Sequence, residues 1–234
     1  MPAALTVVRS LFAVATQGAT GIFRIERAGV FSRLELEQGY VHAMSNVGRS
    51  PRGEETLLQF LAALPDEAQP GFDARAPRAP LVGNPVPAFH PARTVRRHIE
   101  AHAWARPGLP PSDDARVRLG FRPHSSCVDG TEAVVVGLLD GPRRFGDLCA
   151  AVPRIIAERL TRFLEAAGAV TISDPAVDDA WAALGLPPGA PADRIKSAWR
   201  QLARELHPDL HPDGDAVTTA RFQRALDAYR RLLG

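Results

Sequence analysis

The chain has 234 residues, with 28 lysines and arginines against 26 aspartates and glutamates and a formal charge of +2. So small a surplus excludes the concentrated basic field of a strong non-specific phosphate binder, so nucleic acid is not an expected partner, and acidic substrates are not implied. Only Cys127 and Cys149 occur, far apart and with no CxxC, which excludes the usual zinc-ligand spacings and fits a reducing compartment. No metal and no cofactor are implied. No apolar run reaches the length of a bilayer span, and Arg9 interrupts the apolar start where a secretory signal would need continuity, so the chain reads as a cytoplasmic protein without a membrane segment. The 21 prolines, many gathered between Pro65 and Pro91 and between Pro107 and Pro111, favour two or three small domains over one.

In chain order, Leu5 to Ala15 suits a short amphipathic helix. Gly21–Arg27 and Val30–Glu37 flank Ala28-Gly29 and predict a hairpin. Val30, Leu34 and Leu36 are placed on one face, with Arg33, Glu35 and Glu37 on the other. Gln38-Gly39 is a turn before a short strand, Tyr40 to Met44. Gly53 to Leu64 predicts a helix with Leu57, Leu58, Phe60, Leu61 and Leu64 inward, and Gly71 to Ala74 a last strand. His42, between Val41 and Ala43 with no second ligand nearby, reads as an ordinary sheet histidine. The succession Gly21-x-Phe23, Glu37-x-Gly39-Tyr40-Val41-His42-Ala43, Gly53-Glu54-Glu55-x-Leu57-Leu58 and Gly71-Phe72 is similar to the PatA-type amino-terminal domain of bacterial signalling proteins. That resemblance implies an interaction or regulatory module without catalytic residues, whose client or signalling partner stays unnamed.

Composition makes the proline-rich stretch a linker. Beyond it, Arg93 to Ala105 suits a helix and Asp113 to Cys127 carries little signal. Helices are predicted from Thr131 to Leu139, from Phe145 to Ala150 and from Pro153 to Ala167, the last with Ile155, Ile156, Leu160, Phe163 and Leu164 buried and Gly168 as its C-cap. A strand follows at Ala169 to Ile172. Three helices and a strand resemble a winged helix. Arg154, Arg159 and Arg162 would then face a DNA groove, but Glu158 and Glu165 share their helix and no basic wing follows, so DNA regulation is the lesser alternative.

The strongest signal lies in the last quarter. Asp174-Pro175 caps a helix with Trp181 and Leu184 inward and Gly185 ending it. Leu186 to Ala192 is a loop, and the next helix starts without a Ser or Thr cap. In that helix Ile195, Trp199, Leu202 and Leu206 form an apolar stripe, while Lys196, Arg200 and Arg204 form a basic row on another face. Pro208 ends it, leaving His207 at the mouth of a loop. A last helix sets Phe222, Ala225, Leu226, Tyr229 and Leu233 against the stripe. A second His-Pro-Asp at His211 to Asp213 follows no such helix and reads as a bystander. Pro208 and Pro212 also keep His207 and His211 from the helical geometry a metal pair would need.

The sequence Ala198-Trp199-Arg200-Gln201-Leu202-Ala203, then His207-Pro208-Asp209, then Phe222-Gln223-Arg224-Ala225-Leu226-Asp227-Ala228-Tyr229 resembles the J domain of DnaJ-type co-chaperones over about Asp178 to Gly234. The resemblance implies a non-enzymatic module that docks on a DnaK-type ATPase chaperone and stimulates its ATP hydrolysis. By matching position, His207, Pro208 and Asp209 make the allosteric contact and Lys196, Arg200 and Arg204 supply electrostatic attraction. No Gly/Phe-rich or cysteine-rich region accompanies it, so general client binding is not implied, and with Gly234 last a short fourth helix is not expected. The alternative is a signalling scaffold whose J-like segment binds without stimulating. The expected architecture is a multidomain α+β protein: residues 1–80 a small α/β interaction domain, 81–92 a proline-rich linker, 93–173 a helical winged-helix-like middle, and 174–234 a helical J-domain hairpin.

Overall fold

A computed structural model describes residues 3–47, 53–65, 67–74, 84–102, 110–207 and 216–233. The fold is mixed α+β. Contacts divide it into two compact units, one of Met1–Arg106, Val117–Arg143 and Leu148–Thr171, the other of Pro107–Arg116, Arg144–Asp147 and Ile172–Gly234. No described helix is long and apolar enough to cross a membrane.

The first unit is built on a five-stranded antiparallel sheet. Its strands are β1 (Gly21–Arg27), β2 (Val30–Glu37), β3 (Tyr40–Ser45), β4 (Gln69–Ala74) and β5 (Asn84–Phe89), in the order β4-β1-β2-β3-β5. The predicted hairpin forms, with Phe23 opposite Leu34 and Arg27 opposite Val30. Ala28 and Gly29 turn it with φ of 46° and 79°, the left-handed pair that matches the twist of the flanking strands. Leu34 and Leu36 are buried as expected, but Val30 at the tip is 51% exposed, because the core does not extend beneath the turn. Glu35, expected on the wet face, is buried.

Within the stretch read as a linker, Asn84–Phe89 pair with β3 as an edge strand. Pro85 and Pro87 lack the N–H that a central strand would need, and an edge tolerates that loss. The helix α1 (Ala3–Thr16) buries one wide apolar face, on which Val7, Val8, Leu11 and Phe12 are all fully buried, and leaves Thr6 exposed. It packs on β4 and on α3 (Ala92–Ala101), while α2 (Gly53–Ala62) packs on α3 and β5.

The middle of the chain supplies β6 (Arg116–Leu119), α4 (Gly130–Leu138), β7 (Arg143–Arg144), α5 (Phe145–Ala151), α6 (Arg154–Ala166) and β8 (Val170–Ser173), with a three-stranded sheet ordered β7-β6-β8. Gly168 closes α6 with φ of 75°, and the Ala169 N–H reaches the Leu164 carbonyl at 2.7 Å. The buried face of α6 is Ala157, Leu160, Thr161, Phe163 and Leu164. Ile155, expected among them, is 71% exposed, since it belongs to the first turn and precedes the part of the helix that meets the core. Phe12 meets Phe163 edge-on at 5.6 Å, and the Arg9 guanidinium donates to the terminal carbonyls of Ala166 at 2.7 Å and Glu165 at 3.1 Å. A cation thus sits at the negative end of α6.

One carboxylate ties three helices together. Glu132 is buried in the first turn of α4, where it completes a capping box with Asp129. The Arg96 guanidinium of α3 grips both its oxygens, at 2.6 and 2.8 Å, and Arg159 of α6 donates at 2.9 Å. Burial alone would raise its pKa. The bonds from Arg96, Asp129 and Arg159 outweigh that and hold it at about 2.

A folded-state value below the unfolded one means that this stabilisation is present above about pH 4.5 and is lost as pH falls toward 2. Glu132→Gln is expected to cost roughly 3 kcal/mol in urea unfolding at pH 7, since it strands a buried cation, and to flatten the acid limb of the stability profile. Gly39 has φ of 85° and its missing Cβ would press on the Ala15 carbonyl. Gly39→Ala is therefore expected to lower the urea midpoint by an amount equivalent to about 1–3 kcal/mol.

Candidate functional site

Within the second unit, Asp174 starts the C-terminal helices. Its Oδ1 accepts the Ala176 N–H at 3.0 Å and caps α7 (Pro175–Ala183), while the Ser112 hydroxyl and N–H donate to its two oxygens at 2.6 and 2.8 Å. Burial pushes this carboxyl up, but the bonds from Ser112 and Ala176 and the charge of Arg231 hold it below its ordinary value. Gly185, with φ of 64°, ends the helix as expected.

The helix α8 (Ala192–Glu205) begins at Pro191 with no side-chain cap, so Asp193 in its first turn provides the favourable charge there. Ile195 is buried, Trp199 and Leu202 are half-buried, and Lys196, Arg200 and Arg204 are exposed, which is the two-faced division expected from spacing. Against this stripe lies α9 (Ala216–Leu233). Trp199 stacks on Tyr229 at 5.4 Å between centroids and meets Phe222 at 5.6 Å. Such ring pairs contribute about 0.5–1.5 kcal/mol each beyond the area they bury. The core around them is Ala180, Leu184, Ile195, Ala225 and Ala228. Ala180 and Ala228 were not legible as core residues, because alanine is common on both faces of a helix and carries little signal in a hydrophobic pattern.

The structure brings His207 to the end of this arrangement. Leu206 ends α8 with its N–H on the Leu202 carbonyl, and His207 follows, exposed, with its ring edge-on to Phe222 at 6.2 Å. Phe222 therefore touches both the tryptophan of the stripe and the terminal histidine, a role its spacing alone did not reveal. The Arg200 side chain donates to the Lys196 carbonyl at 3.2 Å, which lays it along the helix in line with the basic row. Pro208 and Asp209, and the second tripeptide at His211 to Asp213, lie outside the described residues.

Competing chemistries find less support. Among the described residues no group of three histidine, cysteine or acidic side chains could hold a metal ion. Burial pushes the Cys127 thiol up to about 12, so it is a poor nucleophile. His90 stacks on His124 at 3.6 Å, but its Nε2 faces the Ala15 carbonyl and its Nδ1 accepts the Ala92 N–H, leaving neither nitrogen for a ligand. Of the arginines that a winged helix would turn toward a DNA groove, Arg154 pairs with Glu158 at 2.8 Å and Arg159 with Glu132 at 2.9 Å.

Residues 179–233 match the DnaJ domain family. Over 51 residues the chain is 51% identical to "Chaperone protein DnaJ 2" of Corynebacterium efficiens, covering 22% of this chain and 13% of that protein. Over 54 residues it is 46% identical to "Chaperone protein DnaJ" of Synechococcus elongatus, covering 23% and 18%, and over 54 residues 41% identical to "Chaperone protein DnaJ" of Thermoplasma volcanium, covering 23% and 15%. The chain thus spans less than a fifth of these relatives' length. No solved structure matches it. The tripeptide signature, the two-faced helix before it and the aromatic helix that packs on that helix all fall inside the matched segment, and residues 179–233 are a DnaJ domain.

Proposed function

We propose that this protein is a J-domain co-chaperone: its C-terminal helices dock on a DnaK-type ATPase chaperone and stimulate ATP hydrolysis there. The observation that carries this is the continuity of an exposed cationic row, Lys196, Arg200 and Arg204, with His207 at its end on a helix braced by α9. The row attracts an acidic surface and raises the rate of encounter. His207, with Pro208 and Asp209, then makes the contact that favours the partner's hydrolysing state. A ligand shifts such an equilibrium only by binding one state better than the other, so the tripeptide acts through differential affinity and the bond-breaking groups belong to the partner. This chain is accordingly a non-enzymatic partner, acting in the cytoplasm. The sheet-bearing unit, similar at its start to a signalling module, targets the complex to a client or signalling protein.

Single-turnover ATP hydrolysis by the host's DnaK-type chaperone tests this. Stimulation is expected with the wild type and with His211→Gln and lost with His207→Gln, the fold of each checked by circular dichroism. Absence of stimulation by folded wild type would leave a scaffold that binds without activating. Reversing Lys196 and Arg200 together to glutamate is expected to weaken chaperone binding about tenfold at low salt, since each exposed pair contributes about 0.2–1 kcal/mol. The wild-type affinity itself is expected to fall as salt rises, measured by surface plasmon resonance.

A further inference from the structure

In the sheet-bearing unit a pair of histidines joins two connecting segments. His90 follows β5 and precedes α3, and His124 precedes a short helical turn at Ser125–Cys127. Their rings lie face to face, with 3.6 Å between centroids and 8° between planes, and Tyr40 of β3 meets both edge-on at 5.2 and 5.9 Å. Each ring also serves its own backbone. The Nδ1 of His90 accepts the Ala92 N–H at 3.2 Å, and the Nδ1 of His124 accepts the Ser126 N–H at 3.2 Å, so each satisfies a donor at the start of a helical segment. An Nδ1 that accepts holds no proton, which puts the ring proton on Nε2. In His90 that proton goes to the Ala15 carbonyl, near the end of α1, at 3.2 Å. Both rings are therefore neutral in this arrangement.

A further proton can enter only at Nδ1, where it points at the Ala92 or Ser126 N–H and turns an acceptor into a donor. His90 is 6% exposed and Ala92 is fully buried, so water cannot replace the lost bond while the corner stays closed. Two charged rings would also repel at 3.6 Å. The surroundings of His90 offer a cation little. It faces Tyr40 from β3, His124 from the helical turn and the neutral Ala15 carbonyl from α1, and β5 carries no titratable residue. On α3, Arg96 is bound to Glu132 and Glu100, and on α2, which packs on β5, Glu55 pairs with Arg97 at 3.8 Å. The charge that acts on His90 is that of His124, and it acts against protonation.

We propose that the stacked pair is an acid-opened latch: while both rings are neutral it clips the segment before Cys127 to the corner between β5 and α3, and proton uptake releases that segment. Burial first, and the charge of His124 next, hold His90 at about 4, with the bond to Ala15 working the other way. A closed-state value below the ordinary 6.5 means that the closed form is fully favoured above about pH 6.5 and loses up to about tenfold for each unit as pH falls toward 4. What the release uncovers is Cys127, which is 3% exposed and whose thiol donates to the His124 carbonyl at 3.0 Å. The opening stops at the next residues along the chain, because Glu132 is held independently by Arg96 and Arg159. It is thus a local opening of the fold, drawn from its less stable end.

The test reads Cys127 in the full chain carrying Cys149→Ser, as its rate of reaction with 4,4′-dithiodipyridine from about pH 7 to about pH 4.5, each rate divided by that of glutathione at the same pH. With both histidines present the ratio is expected to rise about tenfold per unit below about pH 6, with no change in the far-ultraviolet circular dichroism. The double variant His90→Asn with His124→Asn keeps an amide oxygen for each N–H but cannot titrate, and is expected to hold the ratio low and flat. His98→Asn removes another buried histidine of α3, one that faces His102 at 4.0 Å, and should leave the rise as it is. Should the double variant leave Cys127 reactive at pH 7, nitrogen NMR of the unmutated rings decides: Nδ1 is expected to be bare in both at pH 7 and to gain its proton over the pH range in which the thiol becomes reactive. A ratio that does not change with pH, a rise that survives the double variant or vanishes with His98→Asn, a loss of helical signal in step with the rise, or rings that carry a proton on Nδ1 at pH 7 or gain it over a different range would each overturn the proposal.

Discussion

The C-terminal module depends on the packing of Trp199 against α9, stacked on Tyr229 and tilted against Phe222. Three aromatic rings bring α8 and α9 together beside a core of Ile195, Leu184 and alanines, and they do so one face away from the basic row. Burying the indole on α9 turns Lys196, Arg200 and Arg204 to solvent, because residues on a helix cannot change face independently of one another. Phe222 then supports His207 directly, so the position of the terminal imidazole is a consequence of core packing. With few large side chains in its core, the module leans on these rings and on the Asp174 cap more than a leucine-rich bundle would.

The first unit is organised differently. There the apolar face of α1 is buried against the sheet and α3, and its one cation, Arg9, donates to the carbonyl end of α6. Glu132 is the electrostatic counterpart, a buried carboxylate that stays charged because two guanidiniums and a backbone N–H solvate it in place of water. The Arg9 contact joins residues 157 positions apart, and the Glu132 contacts join residues 36 and 27 apart. They also engage Arg159 of α6.

Local patterns were legible wherever a period or a turn dictated them. The hairpin, both of its turns, the cap at Asp174 and the two faces of α8 all lie where alternation, positive-φ residues and four-residue steps put them, since each depends on neighbours within one or two turns of chain. Ile155 and Val30 were misplaced because periodicity says which face a side chain is on but not whether the core reaches that far along the element. The strand at Asn84–Phe89 was hidden by its prolines, which argue against a central strand but not against an edge.

The sequence by itself determined the identity of the C-terminal module, because a tripeptide at the end of a two-faced helix is a local feature with several residues in fixed order. It also determined most strands and helices, through propensity and period. Only the tertiary structure decided that Glu132 is buried between Arg96 and Arg159, that Phe222 touches His207, and that alanines on α7 and α9 belong to the core of the C-terminal module. Each of these depends on residues far apart in the chain meeting in space, and ordinary alanines, arginines and glutamates look the same in sequence whether solvent or another helix lies beside them.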